Sequence, residues 1–113
     1  MTSRRDGADV DPLYVRAVLD AYRHSPATTG HVRASDRRLA EQLYRRGIPL
    51  DTVTAAFLLA TARRLVRPPD APALGLARSL AYFVPVVEEL LATPLEPGYR
   101  EYLDAKLARL LRA

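Results

Sequence analysis

Between residues 31 and 69 stand Arg33, Arg37, Arg38, Arg45, Arg46, Arg63, Arg64 and Arg67, against only Asp36, Glu41 and Asp51. A guanidinium is always charged and presents a planar fork of donors that matches phosphate or carboxylate. The segments before and after this one are close to neutral, so the net charge of +4 resides in the middle third. Such clustering is the electrostatic footprint expected of contact with a nucleic-acid backbone. Helical spacing sorts the arginines further. Arg38 and Arg45 share one helix face, flanked by Arg37 and Arg46, and point away from Leu39 and Leu43. Arg63 and Arg67 make a second short row. Arg37, Arg38, Arg45, Arg46, Arg63 and Arg67 are therefore the candidate nucleic-acid-binding residues. A plainer reading stands beside this one. Lys106 is the only lysine, so arginine is simply this chain's cation. Arg63, Arg64 and Arg67 also close a helix, where the dipole favours positive charge.

Other chemistry is sparse. The chain has no cysteine, which excludes disulfide scaffolds, thiolate metal sites and cysteine nucleophiles. His24 and His31 are the only histidines, and they have no acidic partner at metal-ligand spacing. Glu88 and Glu89 are adjacent, so on a helix they diverge by about 100° and cannot act as a facing carboxylate pair. Ser25, Ser35 and Ser79 read as turn or cap residues, and Gly75 stands alone rather than in a phosphate-binding loop. Nothing assembles a nucleophile, a base and an oxyanion donor. The expectation is a protein that is not an enzyme, with no catalytic residue, no metal and no cofactor.

The elements that must carry these residues are helical. Thr52 to Ala62 is free of charge, Gly and Pro, and runs into Arg63-Arg64-Leu65-Val66-Arg67 before Pro68-Pro69. Its apolar residues occupy every sector of a helix, which marks a buried helix rather than a surface one. It is too short to cross a bilayer, which needs roughly 20 apolar residues, so no membrane partner is expected. Asp11 and Pro12 should open a first helix with Tyr14, Val15, Val18, Leu19 and Tyr22 on its inner face. Ser35 is the expected N-cap of a second helix, Asp36 to Arg46, closed by Gly47 as a left-handed C′ residue with Ile48 touching Leu43. Residues 68–78 read as a loop. Ser79 is the expected cap of a fourth helix carrying Leu80, Phe83, Val86, Val87, Leu90 and Leu91, in which Pro85 demands a kink or a later start. The last helix, about Gly98 to Arg112, should bury Tyr99, Leu103, Leu107 and Leu110, with Tyr102 a further candidate, and Arg100 and Asp104 can pair on its outer face. The fold class is all-α: five helices packed compactly around a central apolar helix at about residues 51–67. The whole forms a single domain over 11–113 behind a disordered segment, 1–10. No apolar leader precedes it, so a cytoplasmic, bacterial-type protein is expected.

Two local patterns resemble known modules. Gly47-Ile-Pro-Leu-Asp-Thr-Val-Thr54 looks like the turn and recognition-helix start of a helix-turn-helix. The half before it departs from that pattern, with Leu43 where a small residue is needed, and Pro49, Leu50, Asp51, Ala55 and Leu58 offer little to read bases. Asp36 to Arg64, followed by Ser79-Leu-Ala-Tyr-Phe-Val-Pro-Val-Val-Glu-Glu-Leu90, is similar to the helical C-terminal module of DnaD-family replication-initiation proteins. Leu80, Tyr82, Phe83, Val86 and Val87 stand where that module has its Leu-x-Tyr-Ile-x-x-Ile-Leu kind of motif. The resemblance implies a role in replication initiation, binding DNA and helicase-loading partners. Two classes of function follow. One is a small DNA-associated accessory factor of replication or a mobile element, binding nucleic-acid backbone through the arginine-rich segment. The other is a helical protein–protein adaptor or homodimer that uses Tyr99, Leu103, Leu107 and Leu110 as its seam.

Overall fold

A computed structural model describes residues 10–72 and 74–112, the side chain of Arg112 excepted. Five helices follow one another: α1 Pro12–His24, α2 Ala34–Arg45, α3 Leu50–Leu65, α4 Val84–Ala92 and α5 Tyr99–Arg112. A 3₁₀ turn, Leu80–Phe83, leads directly into α4. The described residues contain no strand. An isolated parallel bridge joins Thr28 to Ala77, with Thr29 N–H donating to the Ala77 carbonyl and Ala77 N–H to that of Ala27. The protein is an all-α bundle. Most of the expected disordered segment lies outside the described residues, and Val10 is half-buried against the core.

Each helix starts and stops for a local reason. The Asp11 carboxylate accepts the Leu13 N–H at 2.9 Å, and Pro12 occupies the first position, where no donor is needed. At the end of α2, Gly47 adopts φ +74°. Its N–H donates to the Tyr44 carbonyl and the Ile48 N–H reaches that of Leu43, the Schellman pattern. The Tyr14 hydroxyl then donates to the Ile48 carbonyl at 2.8 Å, fixing the corner to α1.

The start of α2 corrects the sequence expectation. Ser35 lies inside the first turn, and Arg33 is the cap. The reason is Asp36, which is only 1% exposed. A buried carboxylate must be hydrogen-bonded. One oxygen accepts the Arg33 N–H at 2.9 Å, and the other accepts the Leu80 N–H at 2.9 Å and, more loosely, the Ser79 hydroxyl. Asp36 thereby pins the first turn of α2 to the 3₁₀ turn.

Helix α3 is the core helix, with Val53, Ala55, Ala56, Phe57, Leu59, Ala60, Thr61 and Ala62 buried. Its alanines let neighbours approach closely. Around it, Phe57 meets Phe83 edge-on at 4.9 Å and Tyr22 meets Phe83 at 6.0 Å, an arrangement aromatic quadrupoles favour. Burial stops at its last turn: Leu65 and Val66 are exposed, because the helix outruns its neighbours. Ala55 is buried and Leu58 half-buried, so the helix that would read bases in a helix-turn-helix is the one that fills this core.

Pro85 resolves by a later start. Ser79 caps the 3₁₀ turn through the Ala81 N–H, and α4 begins at Val84 with the proline in its first turn, where its missing N–H costs nothing. Of the apolar residues that α4 carries, Val87 and Leu90 are buried and Leu91 is exposed.

Helix α5 departs most from expectation. Leu103 and Leu107 are buried, but Tyr99 and Leu110 are each 42% exposed. Arg100 leaves Asp104 and reaches across to α3, donating to the Asp51 carboxylate at 2.6 Å and the Thr54 hydroxyl at 2.8 Å. It thereby ties the first turns of α3 and α5 together. The two helices run side by side in one direction, and α5 rests mainly on α3. Helix α4 runs opposite to α3 and does not pack closely on α5.

Candidate functional site

Two surfaces come out of this architecture, and the arginines shape both. On α2 and α3, Arg46 and Arg63 are engaged within the molecule. Arg46 makes a fork-to-fork pair with Glu88, at 2.7 and 3.1 Å. Arg63 pairs in the same way with Glu89, at 2.8 and 2.5 Å. Planar bidentate pairing suits arginine above other cations. Hydrogen bonds from these arginines hold the two glutamates below the ordinary carboxylate range. Adjacent glutamates on α4 thus reach two different helices, because their side chains diverge around the axis. The sequence shows the divergence but not the partners, which lie 42 and 26 residues away.

Two more arginines at the end of α3 fold back on the loop that follows. Arg64 donates to the Tyr82 hydroxyl at 2.9 Å and to the Gly75 carbonyl, with its guanidinium over the Tyr82 ring. Arg67 donates to the Pro72 carbonyl at 3.0 Å. These partners are neutral, so both keep their charge.

The expected nucleic-acid face is therefore divided. Arg37, Arg38 and Arg45 are exposed on α2, and Arg37 and Arg38 form no ion pair with a described residue. Arg46 and Arg63 are held by the glutamates of α4 and Arg67 by the Pro72 carbonyl. Tyr82 is exposed but covered on one face by Arg64.

The second surface is an apolar groove of about 640 Å³. Leu59 and Ala62 of α3, with Val66 just after it, form its floor. Glu89 and Leu90 of α4, with Thr93 just after it, make one wall, and Tyr99, Tyr102, Leu103, Lys106 and Leu107 of α5 make the other. The groove exists because α4 and α5 both lie on α3 and splay apart from one another. Pro94, Leu95 and Glu96 close it at one end. At the other it opens between Val66 and Lys106. Tyr99 and Tyr102 stack at 5.7 Å, and the Lys106 ammonium lies 5.8 Å from the Tyr102 ring centre. Tyr102 is 51% exposed. Its volume lies within the range of ordinary ligand sites, about 300–1,000 Å³.

Sequence spacing placed Tyr99, Leu103, Leu107 and Leu110 on one row but could not show that the row straddles a gap. Among the described residues no cluster of His, Asp or Glu is arranged to hold a metal ion. The Nδ1 of His24 lies 2.8 Å from the Asp20 carbonyl of its own helix. No described helix is long and apolar enough to cross a membrane. The chain matches no protein-family model, no curated protein and no solved structure.

Proposed function

We propose that the protein is a helical protein–protein interaction module whose groove between α4 and α5 seats the apolar side of a helix from a partner. The carrying observation is that this groove is lined by leucines, alanine and valine yet left open, with Tyr99 and Tyr102 exposed on its wall. Apolar surface in a concave site is where amphipathic helices dock, through anchors at i, i+3, i+4 and i+7. Stacked tyrosines at the rim have the character of interface hot spots, large and rigid with a polar tip.

The test uses a fluorescent amphipathic helical peptide of about 18 residues with Leu and Phe at such anchor spacing. It should bind, and Tyr102→Ala should weaken it by about tenfold or more while leaving the circular-dichroism melt unchanged. Equal affinity for a peptide with a scrambled apolar face would overturn the reading. Sedimentation of the protein alone, with and without Tyr102→Ala, reports whether a second copy occupies the groove instead.

A second reading, a DNA-associated accessory factor like the DnaD-type modules, keeps one supporting observation. Arg37 and Arg38 are exposed on α2 without an ion pair to a described residue. These two would give a salt slope of only about −1.4 to −1.8, since each phosphate contact contributes roughly −0.7 to −0.9. Binding of an oligonucleotide that ignores Arg37→Glu and Arg38→Glu would remove this reading.

A further inference from the structure

We propose that the helix seated in the groove lies antiparallel to α3 and α5 and carries acidic residues in its first turn. This rests on the groove reading above and adds the partner's charge and direction. The observation behind it is that the two ends of the groove carry opposite charge.

At the open end, α3 carries Arg63 and Arg64 in its last turn and Arg67 follows two residues beyond it, while α5 carries Lys106 and, one turn further on, Arg109. Only one of these cations is neutralised by a carboxylate among the described residues: Arg63, by Glu89. Arg64 and Arg67 donate to backbone carbonyls and Tyr82. Lys106 faces a tyrosine ring, and Arg109 is exposed. At the closed end stands Glu96, and Glu101 lies beside it in the adjoining pocket next to Asp51 and Ala55; both are exposed and outside the described ion pairs. Asp51 nearby is already engaged by Arg100.

The dipoles of α3 and α5, two of the three helices that line the groove, point the same way and outweigh the opposed dipole of the shorter α4. Helices α3 and α5 start at a common end, where Arg100 joins their first turns. Their negative C-terminal ends therefore converge at the open end of the groove. A guest helix placed antiparallel to them puts its positive N-terminal end there. Acidic side chains in its first turn are favoured by its own dipole and then face the surrounding lysine and arginines. Basic residues in its last turn face Glu96 and Glu101. A parallel guest would set like ends of three dipoles together and place its C-terminal cations against Lys106 and Arg109.

The experiment uses three labelled peptides. The first has the apolar anchors with Glu in the first turn and Lys in the last. The second has the same anchors with those charges exchanged, and the third keeps the first peptide's charges on a scrambled apolar face. The first should bind about five- to tenfold tighter than the second in low salt, the scale of a few exposed charge pairs. That margin should shrink in high salt as screening shortens the Debye length. Lys106→Glu with Arg109→Glu should reverse the preference, and both are surface positions whose replacement leaves the core intact. A photo-crosslinker in the first turn of the first peptide should label residues around Val66 and Lys106. Equal binding of the first two peptides, or crosslinking at Pro94–Glu96, would overturn the orientation while leaving the groove reading in place. Equal binding of the third would sink the groove reading itself.

Discussion

Asp36 shows how much one side chain can organise. Its carboxylate sits in the core and accepts the backbone N–H of Arg33, three residues before it, and that of Leu80, 44 residues after it. Asp36→Ala leaves the buried Leu80 N–H and the part-buried Arg33 N–H without partners, so a loss of about 1–3 kcal/mol is expected in chemical denaturation, from the penalty for unsatisfied buried groups. A loss under about 1 kcal/mol would mean that water reaches both amides. Tyr22 is the opposite case. Its hydroxyl is fully buried and has no hydrogen-bond partner among the described residues, and burial, reinforced by the nearby Asp36 charge, raises its pKa above the ordinary tyrosine value. Tyr22→Phe removes an unsatisfied group and keeps the ring against Phe57 and Phe83, so stability should hold or rise. A clear loss would reveal an ordered water on that hydroxyl. Both residues were legible by type: an acid in a first turn and an aromatic on an inner face. What each polar tip meets depends on a chain crossing that no local spacing encodes.

At the scale of elements, α4 is held to the bundle by charge as well as by Val87 and Leu90. Glu88 reaches α2 and Glu89 reaches α3, and hydrogen bonds from their arginines lower the pKa of each. A carboxylate whose folded pKa lies below its unfolded value stabilises the fold above the unfolded pKa. That contribution disappears as pH falls through the folded value. The variant Glu88→Gln, Glu89→Gln should therefore melt below the parent near neutral pH, and the two curves should converge in acid. A gap independent of pH would show that the pairs contribute packing rather than charge. The boundary of α4 was readable from Pro85, since proline is tolerated only in a first turn. The Gly47 corner was readable as well, because a positive φ there follows from helix-termination chemistry. Tyr99 and Leu110 were not. Periodicity shows which residues share a face, and it does not show how much of that face a neighbour covers.

At the scale of the molecule, helix order and the identity of the core helix followed from α3, whose residues are apolar on every side. The relation of α5 to the rest did not, and it is the weakest join in the structure. Helix α5 buries Leu103 and Leu107, is clamped at its first turn by Arg100, and rests mainly on one neighbour. Few buried contacts mean that its opening needs less free energy than global unfolding. Native-state hydrogen exchange should accordingly show α5 amides beyond the first turn exchanging ahead of those in α3. A guest helix in the groove touches Tyr102, Lys106 and Leu107 and binds only while α5 is docked. By mass action its presence at about 100 times its dissociation constant adds roughly 2.7 kcal/mol against that opening. The amides of residues 103–110 should then slow by about a hundredfold, the equivalent of that energy. Amides of α1, which lies away from the groove, should slow only where they exchange by global unfolding. If α5 is already as protected as α3 without a guest, the groove is rigid and preformed. If a bound peptide leaves α5 exchange unchanged, the peptide sits elsewhere on the molecule.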